Sequence, residues 1–303
     1  MLTLHDLKEL AEHHPQALQA EVTEFELRGI RFGGDCGPRF MGVVNLSADS
    51  WYRESVALTT ENAVRRGLRL RADGAHLVDV GAESTLAAAE RVDPERQCGR
   101  LLPVVRELTA AGVAVSVETY HPDVTRACLE AGAAVLNLTG TVGTSEFYRL
   151  VADHGAGVII CYVAGAHVRE VGDLILGSDH TEVLRDYFAR QIELATQAGV
   201  QRIWIDPGMG FYYRNLGDSA ARVRYQMETF LNTFRLRTLG WPTCHALPHA
   251  FEYFEDDVRC AEPFFAVLAL LGRTDLLRTH EVSRVRAVAR TLEVFQATPA
   301  TAA

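Results

Sequence analysis

Residues able to do chemistry recur along this chain, each at or near the end of a short apolar run. Asn45 closes FMGVVN, Asp79 lies in HLVDV with Glu83 just beyond, Glu118 follows VAVSV, and Asn137 ends AAVLN. Further on, Tyr162 closes GVIICY, Asp206 follows RIWI, His245 lies in TCHA, and Arg278 with His280 ends DLLRTH. A carboxylate accepts paired hydrogen bonds from a ring N–H and an exocyclic amine, and a carboxamide both donates and accepts. A guanidinium stacks as a planar cation, and an imidazole exchanges a proton near neutral pH. Each residue also has an ordinary explanation: Asp206 precedes Pro-Gly, a turn signal, Asn137 precedes Leu-Thr-Gly, Arg278 suits a surface ion pair and His280 a core imidazole. Convergence would separate the two explanations, and the elements decide that.

Eight runs rich in β-branched residues read as strands, at 40–46, 76–80, 113–117, 134–138, 157–162, 202–205, 243–246 and 275–279. Between them lie segments of helical periodicity such as TTENAVRRGLRLRADGA and VLRDYFARQIELATQAGV, with glycine near the end as a C-terminal cap requires. This alternation predicts an α/β fold, a single (β/α)8 TIM barrel over residues 38–292. A short helical and strand extension at 1–37 precedes it and a tail at 293–303 follows. An open doubly wound sheet is the alternative, but no G-x-G-x-x-G follows any strand. In a barrel the strand C-termini converge on one face, where active sites are built. The leading expectation is therefore an enzyme or a ligand-binding protein.

Composition narrows the chemistry. The chain has 303 residues, and Lys8, in a polar N-terminal stretch, is its one lysine among 30 basic residues. Schiff-base and pyridoxal phosphate catalysis, and a Walker A loop, each need a lysine in the site, so none is expected. A net charge of −9, without a basic run interleaved with aromatics, argues against nucleic acid and anionic membranes as partners. No apolar run is long enough to span a bilayer, and a cytoplasmic protein acting on small molecules is expected. The six cysteines are scattered with no C-x-x-C, which reads as reduced, mostly buried thiols.

Five segments then read together: FMGVVNLSADSW, VDVGAESTLAAAERVDPE, VSVETYHPDVTRACLEAGAAVLNLTG, IWIDPGMGF and LLRTHEV. In order and spacing they resemble the dihydropteroate synthase family, pterin-binding (β/α)8 barrels of folate synthesis, across about residues 38–290. That family joins a pterin carrying a pyrophosphorylated methylene to p-aminobenzoate; pyrophosphate leaves and the amine attacks the resulting cation. The resemblance implies that Asp206 and Asn137 read the aminopyrimidinone edge, that Glu118 stands where the family usually has aspartate, and that Arg278 stacks on the ring. It implies His280 at the anion site, Thr85 in the E-S-T loop, and Asn45 near pyrophosphate and a possible magnesium ion. A homodimer is the assembly the family suggests.

The chain also departs from the pattern. The seventh strand of the family ends in a Ser-Arg-Lys-Ser type motif, whereas this chain reads PTCHALPHAFEYF, placing Pro248, His249 and Ala250 at the serine, arginine and lysine positions. Leu86 replaces the arginine that usually follows E-S-T, and the first loop reads LSADSWYRES. These changes fall on the side that handles pyrophosphate and arylamine, so the expectation is a pterin-binding transferase whose chemistry has diverged from p-aminobenzoate condensation. His249, His280 and Glu118 are its candidate acid–base groups, with His245, Glu252, Glu255, Asp256 and Glu281 nearby in sequence. His-x-x-x-His spacing could suit zinc on a helix, but Pro248 argues against a regular helix and zinc is not expected. The aromatics Trp51, Tyr52, Phe211, Tyr212 and Tyr213 could wall a flat ligand, and Arg53 could supply missing charge. The alternatives are an active dihydropteroate synthase, a noncatalytic pterin-binding protein, and a methyltetrahydrofolate-dependent methyltransferase with a corrinoid partner.

Overall fold

The structure, a computed structural model, describes residues 1–49, 52, 55–86, 89–174, 179–211 and 213–296. The candidate wall and charge residues Trp51, Arg53 and Tyr212 lie outside the described residues. Two helices, α1 (Leu4–His13) and α2 (Pro15–Leu18), and an antiparallel hairpin, β1 (Phe25–Leu27) with β2 (Ile30–Phe32), precede the main unit. Then follow β3 (Arg39–Asn45), α3 (Thr60–Asp73), β4 (Leu77–Gly81), α4 (Pro94–Ala110), β5 (Val115–Thr119), α5 (Pro122–Glu130), β6 (Val135–Leu138) and α6 (Thr144–Asp153). The chain continues through β7 (Gly157–Cys161), α7 (His180–Gln197), β8 (Ile203–Asp206), α8 (Ser219–Leu236), β9 (Cys244–Ala246), α9 (Phe251–Phe254), α10 (Ala261–Leu271), β10 (Leu276–Thr279) and α11 (Val282–Gln296).

Every strand expected from the apolar runs is present. The eight strands β3 to β10 pair in parallel in the order β8-β7-β6-β5-β4-β3-β10-β9, and a parallel bridge between Ile205 and Thr243 brings the two edges together. Strand alternation divides the apolar residues between two layers. Val78 and Val80, Val115 and Val117, Leu136 and Leu138, and Val158 and Ile160 face outward into the helical ring, with Leu101, Leu108, Phe188 and Phe265 packed there. Met41, Leu77, Val135, Ile159, Trp204 and Leu276 form a separate cluster inside the barrel. The hairpin closes that interior from the N-terminal end. Phe25 and Phe32 meet the Trp204 indole edge to face, with ring centroids 4.8 and 5.0 Å apart.

Helix ends follow their local signals. The Thr59 hydroxyl accepts the Asn62 N–H at the start of α3, and Gly74 ends that helix at φ 109°, a conformation costly for any side chain. Two sequence expectations need correction. Cysteines are free, but Cys128, Cys161 and Cys244 are buried while Cys36 and Cys98 are half-buried and Cys260 is exposed, so only half lie in the core. Helix α11 runs to Gln296, past the point where a loose tail was expected to begin. Among the described residues no helix is long and apolar enough to cross a membrane.

Candidate active site

Above the apolar interior, the next inward-facing positions are polar. Asp79 of β4 is fully buried and serves as a hub: it accepts hydrogen bonds from Ser116 Oγ (2.6 Å), Asn137 Nδ2 (3.1 Å) and Arg278 Nε (2.7 Å). Arg278 also donates through Nη2 to Glu118 Oε2 (2.6 Å), so one guanidinium joins two carboxylates. Asn137 takes the Cys161 thiol on its carbonyl oxygen (3.3 Å). Asp206 accepts the Gly208 N–H at Oδ1 (2.8 Å). Gly208 has φ 76°, and a Cβ there would lie 2.2 Å from the Tyr162 carbonyl, so the Asp-Pro-Gly turn fixes the carboxylate only with glycine at this position.

These groups front a cavity of about 410 Å³, whose lining includes Asn45, Glu118, Asn137, Asp206, Arg278 and His280. Crowding carboxylates around one guanidinium away from water shifts the protonation of Glu118 and Asp206. Burial pushes Glu118 up to about 7, against the pull of Arg278, and Asp206 up to about 6. Arg278 is raised further above its usual value, burial being outweighed by Asp79 and Glu118, and stays a cation. The floor is thus a fixed array of acceptors with one flat cation among them.

A second cluster forms the wall of the cavity. Glu262 of α10 is fully buried; its Oε2 accepts the His280 N–H (2.9 Å), the Glu281 N–H (3.2 Å) and the Thr279 hydroxyl. Its Oε1 faces His280 Nδ1 at 2.7 Å and His249 Nε2 at 3.1 Å. Burial pushes Glu262 up, but the adjoining imidazoles outweigh it and hold the carboxyl well below the usual range. Burial lowers His280 below an ordinary imidazole. Tyr52 stacks on both rings, with centroids 4.6 Å from His280 and 5.2 Å from His249, and donates its hydroxyl to Glu281.

The structure brings Asn45, Thr85, Glu118, Asn137, Asp206, His249, Arg278 and His280 to one cavity, as the strand ends suggested. Tyr52 and Phe211 line it too, whereas Tyr213 is buried beneath, its hydroxyl donating to the Tyr162 carbonyl (3.4 Å). Two strand-end readings fail by one residue. His245 faces the helical ring, where it meets Thr233 Oγ1 at 2.7 Å and packs on Phe230, and burial lowers it to about 3. Tyr162 turns outward to Tyr187 and His180, and Cys161 is the fifth barrel strand's contribution to the cavity. Glu252 pairs with Arg222, and Glu255 and Asp256 are exposed.

Sequence reading missed Glu262 and Arg169. The Arg169 side chain is buried and donates to the carbonyls of Ser84 (2.8 Å), Leu86 and Ala89 (2.6 Å), pinning the E-S-T-L loop from across the barrel mouth. Asn45 donates to Ser55 Oγ (2.6 Å), which ties Ser55 to the end of β3.

On a parallel (β/α)8 barrel this floor presents hydrogen-bond acceptors and one planar cation to the cavity, chemistry that suits the polar edge of a flat heterocycle. Residues 41–244 match the family described as pterin binding enzyme, and the chain belongs to that family. Within it the chain is dihydropteroate synthase-like. It is 34% identical over 174 residues to the dihydropteroate synthase of Mycobacterium leprae, spanning 56% of this chain and 61% of that enzyme. It is 25% identical over 312 residues to that of Synechocystis sp., covering 96% of this chain and 99% of the relative. Among solved structures, Xanthomonas albilineans dihydropteroate synthase with 4-aminobenzoic acid superposes with a TM-score of 0.75 at 28% identity, over 91% of this chain and 99% of that one.

Proposed function

We propose that this chain is a transferase of the dihydropteroate synthase type, moving the methylene carbon of a pterin from pyrophosphate to an arylamine. The observation that carries the reading is the floor: Asp206, Asn137 and Glu118 on three different strands, with Arg278 among them, around one cavity. In this reading Asp206 accepts from the ring N–H and exocyclic amine, Asn137 donates and accepts beside it, and the Arg278 plane lies against the ring. The C–O bond to pyrophosphate breaks with its electron pair on the departing oxygen, the amine nitrogen forms the new C–N bond, and the released proton passes to the departing pyrophosphate. A magnesium ion would meet one amide oxygen at Asn45 and take its other ligands from phosphate and water, as this ion commonly does. It would supply charge to the leaving group. Residues 38–292 form the working unit in this reading, and a homodimer and a cytoplasmic location are the assembly and place proposed for it.

A second reading, the same pterin site with a different acceptor, is favoured by Pro248, His249 and Ala250 beyond β9 and by Leu86. There the chain carries no arginine or lysine of its own where the sequence pattern of the family has them. The relatives point instead to ordinary chemistry. Incubating the protein with the pterin pyrophosphate and p-aminobenzoate separates the two. Dihydropteroate formed in step with pyrophosphate release is the expected result; tight pterin binding without that product would leave the second reading standing.

The pH dependence of binding follows from Asp206. A protonated carboxyl presents a donor to a ring edge that itself donates, so only the ionised form binds well. With its value raised to about 6, pterin affinity should be flat above about pH 8 and fall about tenfold per unit below about pH 6. Protonation of Glu118 near 7 adds a shallower loss on the way down. Fluorescence titration at fixed ionic strength from pH 5 to 9 measures this, and affinity that improves toward acid would contradict the assigned role.

A further inference from the structure

We propose that His249, Glu262 and His280 form a zinc site in the wall of the cavity. Their ligand atoms lie within 4.8 Å of one another. Around a tetrahedral zinc with bonds of about 2.0–2.1 Å, neighbouring donors sit about 3.3 Å apart. His249 Nε2 and His280 Nδ1 stand 3.1 and 2.7 Å from the same Glu262 oxygen, so small side-chain rotations reach that spacing.

Three features point to a metal rather than to a simple hydrogen-bonded cluster. Glu262 is a fully buried carboxylate whose ion-pair partners among the described residues are the two imidazoles, with no arginine or lysine in contact, so unless those rings carry a proton it needs a compensating charge. A dication would provide it. Next, His249 Nε2 is buried and makes no hydrogen bond although Glu262 Oε1 is 3.1 Å away. A ring nitrogen that faces a carboxylate oxygen off the N–H···O line fits coordination, while His280 Nδ1 contacts the same oxygen by a hydrogen bond of 2.7 Å. Finally, the carboxylate is preorganised: two backbone N–H groups and the Thr279 hydroxyl occupy Oε2 and leave Oε1 toward the imidazoles. Such outer bonds are what orient metal ligands.

The site is distinct from the His245-x-x-x-His249 spacing of the sequence, because His245 points the other way and the partners come from α10 and the end of β10. His249 and His280 line the cavity, so a fourth position would open toward it and take water or an anionic oxygen. That role rests on the transferase reading, where it would place positive charge beside the leaving group without the missing lysine. Metal binding itself does not.

The test uses untagged full-length protein stripped with a chelator and titrated with zinc chloride by calorimetry, with cobalt(II) as a spectroscopic probe. One equivalent should bind, cobalt should give the intense visible bands of a tetrahedral ion, and His249→Ala and His280→Ala should each weaken binding at least about tenfold. Glu262→Gln is kept as a third variant, since it disturbs the backbone bonds at 280 and 281, while His249→Ala leaves those intact. Cys260→Ser should change nothing. No stoichiometric zinc, binding indifferent to both histidines, or binding lost with Cys260 would overturn the proposal. Zinc bound by a protein that ignores pterins would retain the site and remove the transferase reading; pterin turnover without zinc binding would do the reverse.

Discussion

Asp206→Asn should weaken pterin binding by about 30- to 1,000-fold, corresponding to about 2–4 kcal/mol, while leaving the fold intact. The size follows from what the substitution does at the ring edge. Two donors of the aminopyrimidinone meet one carboxylate; asparagine returns a single acceptor oxygen and sets an N–H₂ against a ring N–H. One charge-assisted bond becomes neutral and the other becomes a clash of donors. The turn survives, because the asparagine oxygen can still accept the Gly208 N–H that Asp206 holds at 2.8 Å. Stability should even rise slightly at pH 8. Burial lifts Asp206 to about 6, above its unfolded value, so its ionised form is disfavoured in the folded protein once the pH exceeds that value. Titration with a reduced pterin, paired with urea denaturation of both proteins at pH 8, checks the pair of outcomes; undiminished affinity would remove Asp206 from the site.

The barrel was legible because its strands are short, β-branched and separated by capped helices, so each apolar run marks one strand whatever its partners. Asn137, Asp206, Glu118 and Arg278 were legible for a related reason: each is the inward residue of its strand. Where the pleat is ambiguous the reading slipped. In the three-residue strand β9, a shift of one position exchanges Ala246, which lines the cavity, for His245, which faces Phe230. The same shift confuses Tyr162 with Cys161. Glu262 was hidden because nothing local ties it to His280. It sits on α10, in AEPFFAVLALL, and its one sequence signal is a carboxylate in an otherwise apolar helix that must be buried. The hub role of Asp79 depends on Ser116, Asn137 and Arg278 meeting from three other strands, which only the closed sheet arranges.

Removing the guanidinium of Arg278 should cost the fold more than any other single change at the site. In Arg278→Met the apolar volume is largely kept, but Asp79 and Glu118 lose the partner that stands 2.7 and 2.6 Å from them, and taking one member from a buried ion pair typically costs about 3–5 kcal/mol. The loss should depend on pH with a definite sign. Without the cation Glu118 rises further above its unfolded value, so the penalty is largest at high pH and is relieved as acid protonates it. Glu118, already near 7 with Arg278 present, would then be neutral through the neutral range. The variant should therefore lie closest to the parent near pH 5.5 and furthest from it near pH 9. Arg278→Lys separates charge from shape: the ammonium restores part of the stability, but it cannot reach Asp79 and Glu118 through a rigid fork or lie flat on a ring, so pterin affinity should stay low. Chemical denaturation of the three proteins at both pH values, with pterin titration alongside, measures the two effects independently. An Arg278→Met protein as stable at pH 9 as its parent would mean that the carboxylates of the floor are compensated by something other than Arg278.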